Sequence, residues 1–145
     1  MKQHDGSADD QTIRTLIGNH FEGMKWTPDT KPDWPRFSDD FLPDAVLVSA
    51  ARPAKAKTLQ AFLDRMEGVA KGGLRSFEEH TLGMQCLMFG NVAVVLAASE
   101  MLENNAEVNH DVSGYLLVKT EGKWRIAAHA WDKANEERPL PDHLR

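Results

Sequence analysis

Four histidines fall inside the patterned part of this 145-residue chain, His20, His80, His110 and His129. Imidazole both gives and accepts protons near neutral pH, so each is a candidate acid or base. His129 lies in the second of two alternating runs, VNHDVSGYLLVKT and KWRIAAHAWDKA, that flank the turn pair Glu121-Gly122. A two-residue turn there sets Thr120 opposite Lys123, and by counting outward Gly114 opposite His129 and Val112 opposite Trp131. On that face Val112, Gly114, Leu116, Ala127, His129 and Trp131 would leave a hollow walled by small residues, one imidazole and one indole. His129 is therefore a catalytic candidate, with Trp131, Val112 and Gly114 as ligand contacts. If the turn at Asn104 to Glu107 pairs Met101 with Asn109, Glu100 comes to lie opposite His110 on the same face as His129. That makes Glu100 and His110 a carboxylate–imidazole couple, which a register slip of one residue would separate. His20 sits in the middle of a helical apolar face and either lines the same space or is a core histidine with a single hydrogen bond.

Other polar groups read as structural. Asp111 and Asp132 are expected to oppose one another on the remaining hairpin face, where they need a basic neighbour. His80, beside Glu78 and Glu79, reads as a strand-end charge cluster. No HxH, HxxxH or HExxH spacing occurs, so no metal is expected, and GxSxG, GxGxxG and Walker-type loops are absent, so no nucleophile elbow and no cofactor are expected.

The elements that must position these groups can be read in order. Ser7 or Asp9 can cap a first helix running to about Trp26, with Ile13, Leu16, Ile17, Phe21 and Met24 on one face. The prolines of TPDTKPDWP forbid its continuation. Asp33 then caps a short helix with Pro35 in its first turn, and Trp34, Phe37 and Phe41 at helical spacing form an aromatic lid, with Trp34 and Phe37 as ligand contacts. Ala45 to Ser49 is a short strand, and Arg52 to Lys57 a basic loop. A third helix, about Thr58 to Lys71, ends at Gly72-Gly73. Leu74 to Asn135 reads as a four-stranded antiparallel meander whose turns fall at Gly90-Asn91, Asn104 to Glu107 and Glu121-Gly122. The charged, proline-broken tail ERPLPDHLR either hangs free or wraps a partner subunit.

Composition bounds the rest. The chain is one domain, with its core over about residues 10–135, and 41% hydrophobic content is enough to close that core. A net charge of -5 offers no basic field for nucleic acid or an anionic membrane surface. The lone Cys86, and the absence of a leader or spanning segment, suit a cytoplasmic protein. Apolar residues mark both faces of the meander: Leu82, Met84, Cys86, Val95 and Ala97 on one, Val94, Leu96, Ala98, Val112 and Trp131 on the other. Three helices can cover one face, so a homodimer is expected through the second.

Taken together, the element order and the phrases FLPDAVLV and GKWRIAAHAWDKAN resemble the nuclear-transport-factor-2-like superfamily, which includes ketosteroid isomerases, SnoaL-like cyclases and scytalone dehydratase. The resemblance implies an α+β, cystatin-like cone: helices on a curved mixed sheet, with a ligand cavity at the open end and frequent dimerisation through the sheet. It makes Trp131 a pocket-lining aromatic. Where isomerase relatives carry a protonated aspartate this chain has Gly114, and His20 stands nearest their helix-one tyrosine, so steroid-type isomerisation is not expected. Two functions follow. One is a cofactor-independent isomerase, cyclase or dehydratase acting on a small apolar or aromatic metabolite through His129, His20 or the Glu100–His110 couple. The other is a non-catalytic ligand-binding or dimeric interaction module.

Overall fold

Long runs of alternating apolar residues commit most of the second half of the chain to strands, and the structure joins them into one six-stranded sheet. It is a computed structural model describing residues 6–51 and 53–145. Arg52, the first residue of the expected basic loop, lies outside the described residues. Helix α1 spans Ser7–Asn19 and passes into a 3-10 turn, His20–Gly23; α2 spans Trp34–Asp39 and α3 spans Leu59–Lys71. The strands are β1 (Phe41–Ser49), β2 (Lys55–Thr58), β3 (Phe77–Phe89), β4 (Val92–Glu103), β5 (Glu107–Thr120) and β6 (Lys123–Lys133). Their spatial order is β2-β1-β6-β5-β4-β3, with β1 parallel to β6 and every other pair antiparallel. The α+β architecture with a mixed sheet is as expected. The meander is four of its strands, and β2 is an addition, since residues expected to form a loop pair with the edge of β1.

Local chemistry explains most boundaries. The Asp33 side chain accepts the Arg36 amide and Thr58 Oγ1 accepts the Ala61 amide, each satisfying an otherwise unpaired donor at a helix start. The cap expected at Ser7 or Asp9 is absent, because α1 starts from Gly6 without a side-chain cap. Asp9 instead accepts Trp124 Nε1 and Lys119 Nζ, both at 3.0 Å, and so ties α1 to the final hairpin. Gly23 allows the 3-10 turn to meet α2: an added Cβ would stand 2.8 Å from the Phe37 nitrogen. Turns at Asn104-Asn105, Gly90 and Glu121-Gly122 use positive φ.

One correction reorganises the site. The last hairpin begins in the expected register, Thr120 opposite Lys123, but Ala127 is a bulge, with Leu117 opposite Ile126 and Leu116 opposite Ala128. Beyond it Tyr115, not Gly114, faces His129, and Ser113, not Val112, faces Trp131. Val112, Gly114 and Leu116 therefore belong to the opposite side of the sheet and do not line a site with His129. Asp111 likewise faces Lys133 and Val112 faces Asp132, so no aspartate pair forms. The physical reason is burial: the bulge lets Trp124 and Ile126 share the helix-covered face with His129 and Trp131, although their spacing in sequence is out of phase.

The helices cover the inner face, where Val95, Ala97, Leu117 and Ile126 are essentially inaccessible. The outer face is split. Over its lower part the tail folds back, and Leu144, in a 3-10 turn at Asp142–Leu144, is fully buried. A Cβ on Gly83 would lie 2.7 Å from the Leu144 carbonyl oxygen, so the tail needs a glycine there. It therefore does not hang free, one of the two fates expected from its sequence. Over the upper part Leu87, Phe89, Val92, Val94, Leu96 and Leu116 are exposed. Among the described residues no helix is long and apolar enough to cross a membrane.

Candidate functional site

The inner face carries more polar chemistry than a core needs, and the bulge at Ala127 puts it there. Tyr115, Ser113 and Asp111 alternate along β5, Ser99 sits on β4, Glu79 on β3, and His129 and Trp131 on β6 after the bulge. His20 enters from the opposite layer, at the start of the 3-10 turn that follows α1. Phe37 from α2, Phe41 from the first position of β1 rather than from the helix expected to carry it, and Phe62 from α3 close the space between the two layers.

His20 is 1% exposed. Its Nδ1 lies 2.8 Å from Asp40 Oδ2. A carboxylate only accepts, so Nδ1 carries a proton in this contact, and Nε2 is the ring nitrogen turned away from Asp40. The ring stacks on Phe37 at 4.4 Å and meets Tyr115 edge-on at 6.3 Å. His129, 6% exposed, shares a hydrogen bond with Ser113 Oγ through Nε2 at 2.9 Å. Its ring stacks on Tyr115 at 4.3 Å and tilts against Trp131 at 4.9 Å, while Phe62 meets Trp131 edge-on at 5.8 Å. The hollow expected in front of His129 is thus filled by a tyrosine.

Among the described residues three buried side-chain polar atoms remain without a hydrogen-bond partner: His20 Nε2, Tyr115 Oη and His129 Nδ1. Tyr115 Oη lies near the Ser113 hydroxyl, which favours the phenolate, but the two do not reach hydrogen-bond geometry. Leaving such groups unpaired costs about 1–3 kcal/mol each. Three on neighbouring rings are a concentration that packing alone does not explain.

Burial sets the protonation states. Desolvation, with a smaller repulsion from His20, holds His129 well below the ordinary histidine value, so the ring is neutral at pH 7. Desolvation also raises the Tyr115 phenol well above its usual value, reinforced by the Glu79 charge, so Oη keeps its proton. Glu79 is pushed up to about 8 by desolvation, against the opposing hydrogen bond from Ser99 Oγ at 2.7 Å. Asp111 is raised to about 6 by desolvation, with Lys133 pulling it back. Glu79, Asp111 and Trp131 each keep some solvent exposure and so form the rim of this interior.

The remaining expected residues are elsewhere. Glu100 and His110 do pair, at 3.1 Å between Oε2 and Nε2. They do so on the outer face, not beside His129, because alternation along β5 puts His110 on the side opposite Tyr115. His110 there borders a groove of about 510 Å³ between the sheet and the tail, near Leu82, Pro139 and Leu140. A second groove of about 640 Å³ lies beside Trp26, Lys31 and Arg75. Neither is lined by His20, Tyr115 or His129. Trp34 belongs to the cover, donating Nε1 to Glu67 Oε1 at 2.6 Å, and Phe37 packs under it. Among the described residues no group of three His, Cys, Asp or Glu side chains could hold a metal ion. Tyr115, Ser113, Asp40 and Ser99 were not singled out in sequence; the signal for the first two was the phase change between Trp124-x-Ile126 and His129-x-Trp131.

The chain matches no protein-family model and no curated protein. Solved structures do resemble it. A cystatin-like-fold protein of unknown function from Nostoc punctiforme superposes with a TM-score of 0.71 at 11% identity, over 94% of this chain and 97% of that one. An NTF2-like protein of unknown function from Pseudomonas putida gives 0.70 at 16% identity, over 94% and 96%. A protein assigned provisionally as a scytalone dehydratase, from Novosphingobium aromaticivorans, gives 0.70 at 12% identity, over 88% and 85%. The fold is therefore NTF2-like, of the cystatin-like type.

Proposed function

We propose that this protein binds a small, largely aromatic molecule on its inner face and that the site is equipped for proton transfer without a cofactor. The observation that carries this reading is three unpaired buried polar atoms on rings in contact, His20 with Tyr115 and Tyr115 with His129, one of them on a histidine backed by a carboxylate. In such a site His20 Nε2 takes a proton, Asp40 steadies the imidazolium, and the protonated Tyr115 hydroxyl donates to an oxygen where charge develops. His129, neutral and fixed by Ser113, orients the ligand. That division of roles suits an isomerase, cyclase or dehydratase, and one structural neighbour bears a provisional dehydratase name while another bears that of an aromatic ring hydroxylase. A binding module without turnover would use the same contacts.

The test is 15N NMR of the histidine rings during a titration with 2-phenylethanol. The expected result is saturable shifts at His20 and His129, with His80 and His143 unmoved. Shifts confined to the outer-face His110 would move the site to the groove beneath the tail.

A homodimer is also proposed. The apolar stripe Val46, Ala128, Leu116 and Val94 crosses four strands side by side on the outer face, and the tail leaves it uncovered. Phe89 there is 89% exposed. A flat apolar patch of this kind is self-complementary about a two-fold axis. Light scattering should return about twice 16.2 kDa, and Leu116→Lys should return the monomer. A monomer for the parent chain at micromolar concentration would reject the dimer.

A further inference from the structure

Resting on the ligand-binding reading of the inner face, we propose that the rim of the site recognises a protonated amine, so that the ligand is an arylalkylamine and not a carboxylate or phosphate. The rim is acidic and the wall behind it aromatic. Ser99 pairs across the sheet with Thr81 on one side and Asp111 on the other. Its hydroxyl donates to Glu79 Oε2 at 2.7 Å, leaving the other Glu79 oxygen and the Asp111 carboxylate as acceptors on the same face. An independent feature points inward from the same place: Tyr115, 2% exposed, has an unpaired hydroxyl within electrostatic reach of both carboxylates.

No matching positive charge occupies the interior. Among the described residues no Lys or Arg is buried. Lys119 and Arg14, the part-buried cations of the α1 side, are already engaged by Asp9 and Asp10. Lys133, opposite Asp111, is exposed and supplies only a partial counter-charge. A carboxylate or phosphate entering here would meet two acidic groups and no buried cation, whereas an ammonium would meet two carboxylates. The elevated Glu79 adds a consequence: an ammonium favours the ionised carboxylate, so binding at pH 7 releases a proton from the protein.

The experiment is calorimetry at pH 7 with 2-phenylethylamine, 2-phenylethanol and 3-phenylpropanoate, in two buffers of different ionisation enthalpy. The amine is expected to bind about tenfold tighter than the alcohol and to release protons, with the carboxylate weakest. Glu79→Gln should reduce the amine toward the alcohol's affinity and end the proton release. Asp111→Asn, at the more exposed position, should weaken the amine selectively and provides the same comparison should Glu79→Gln not fold. Equal binding of amine and alcohol, or an amine preference that survives both substitutions, would overturn the inference while leaving the ligand-binding reading intact. Binding of none of the three would overturn both.

Discussion

Replacing Tyr115 by Phe should make the protein more stable and less able to bind. The hydroxyl is buried and unpaired, so its removal relieves a desolvation cost while the ring keeps its stacking on His129. The expected gain is about 1 kcal/mol in denaturant unfolding. Affinity for 2-phenylethanol should fall about tenfold in the same variant, because the donor that meets the ligand oxygen is gone. Opposite signs in the two measurements are what a functional group held at the expense of stability produces. A hydroxyl serving the fold would give a loss of stability and unchanged binding.

The second large effect is the pH dependence of stability. Glu79 is raised in the folded state from 4.5 to about 8, so the folded protein holds a proton that the unfolded chain has lost across that window. Its contribution is intact below about pH 4.5 and is lost as pH rises toward 8. Asp111 acts in the same direction between 3.8 and about 6, more weakly because solvent reaches it. His129 acts oppositely: its folded value lies well below 6.5, so its contribution is intact above 6.5 and is lost as pH falls. The carboxylates and the histidine offset one another between about 4.5 and 6.5. From 6.5 to 8 Glu79 is left unopposed, and stability should fall by about 2 kcal/mol. Glu79→Gln should flatten that limb and be the more stable protein at pH 8. Urea denaturation from pH 5 to 8.5 decides it, and a stability that rises from 6.5 to 8 in the parent chain would contradict the assignment.

Much of the fold was legible from residues whose chemistry is local. Asp33 and the glycines at 72, 90 and 122 announce a cap and turns that the structure keeps, and the strands of the meander follow their alternation. The Glu100–His110 pairing was legible too, because it depends only on the turn between β4 and β5. What a local pattern could not supply was the single extra residue at Ala127. It reverses the face of everything after it on β6, exchanging Gly114 for Tyr115 and Val112 for Ser113 beside the histidine and tryptophan. The same event separates His110 from His129. Asp40 was illegible for a different reason: its partner His20 is 20 residues away and reaches it only because the 3-10 turn folds against α2.

A crystal structure with 2-phenylethanol bound tests the central claim most directly. The phenyl ring is expected beside Trp131 on the inner face, with the hydroxyl within about 3 Å of Tyr115 Oη or His20 Nε2. A ligand seated instead in the groove beneath the tail, or beside Trp26 and Arg75, with the three inner atoms left as they are, would contradict it.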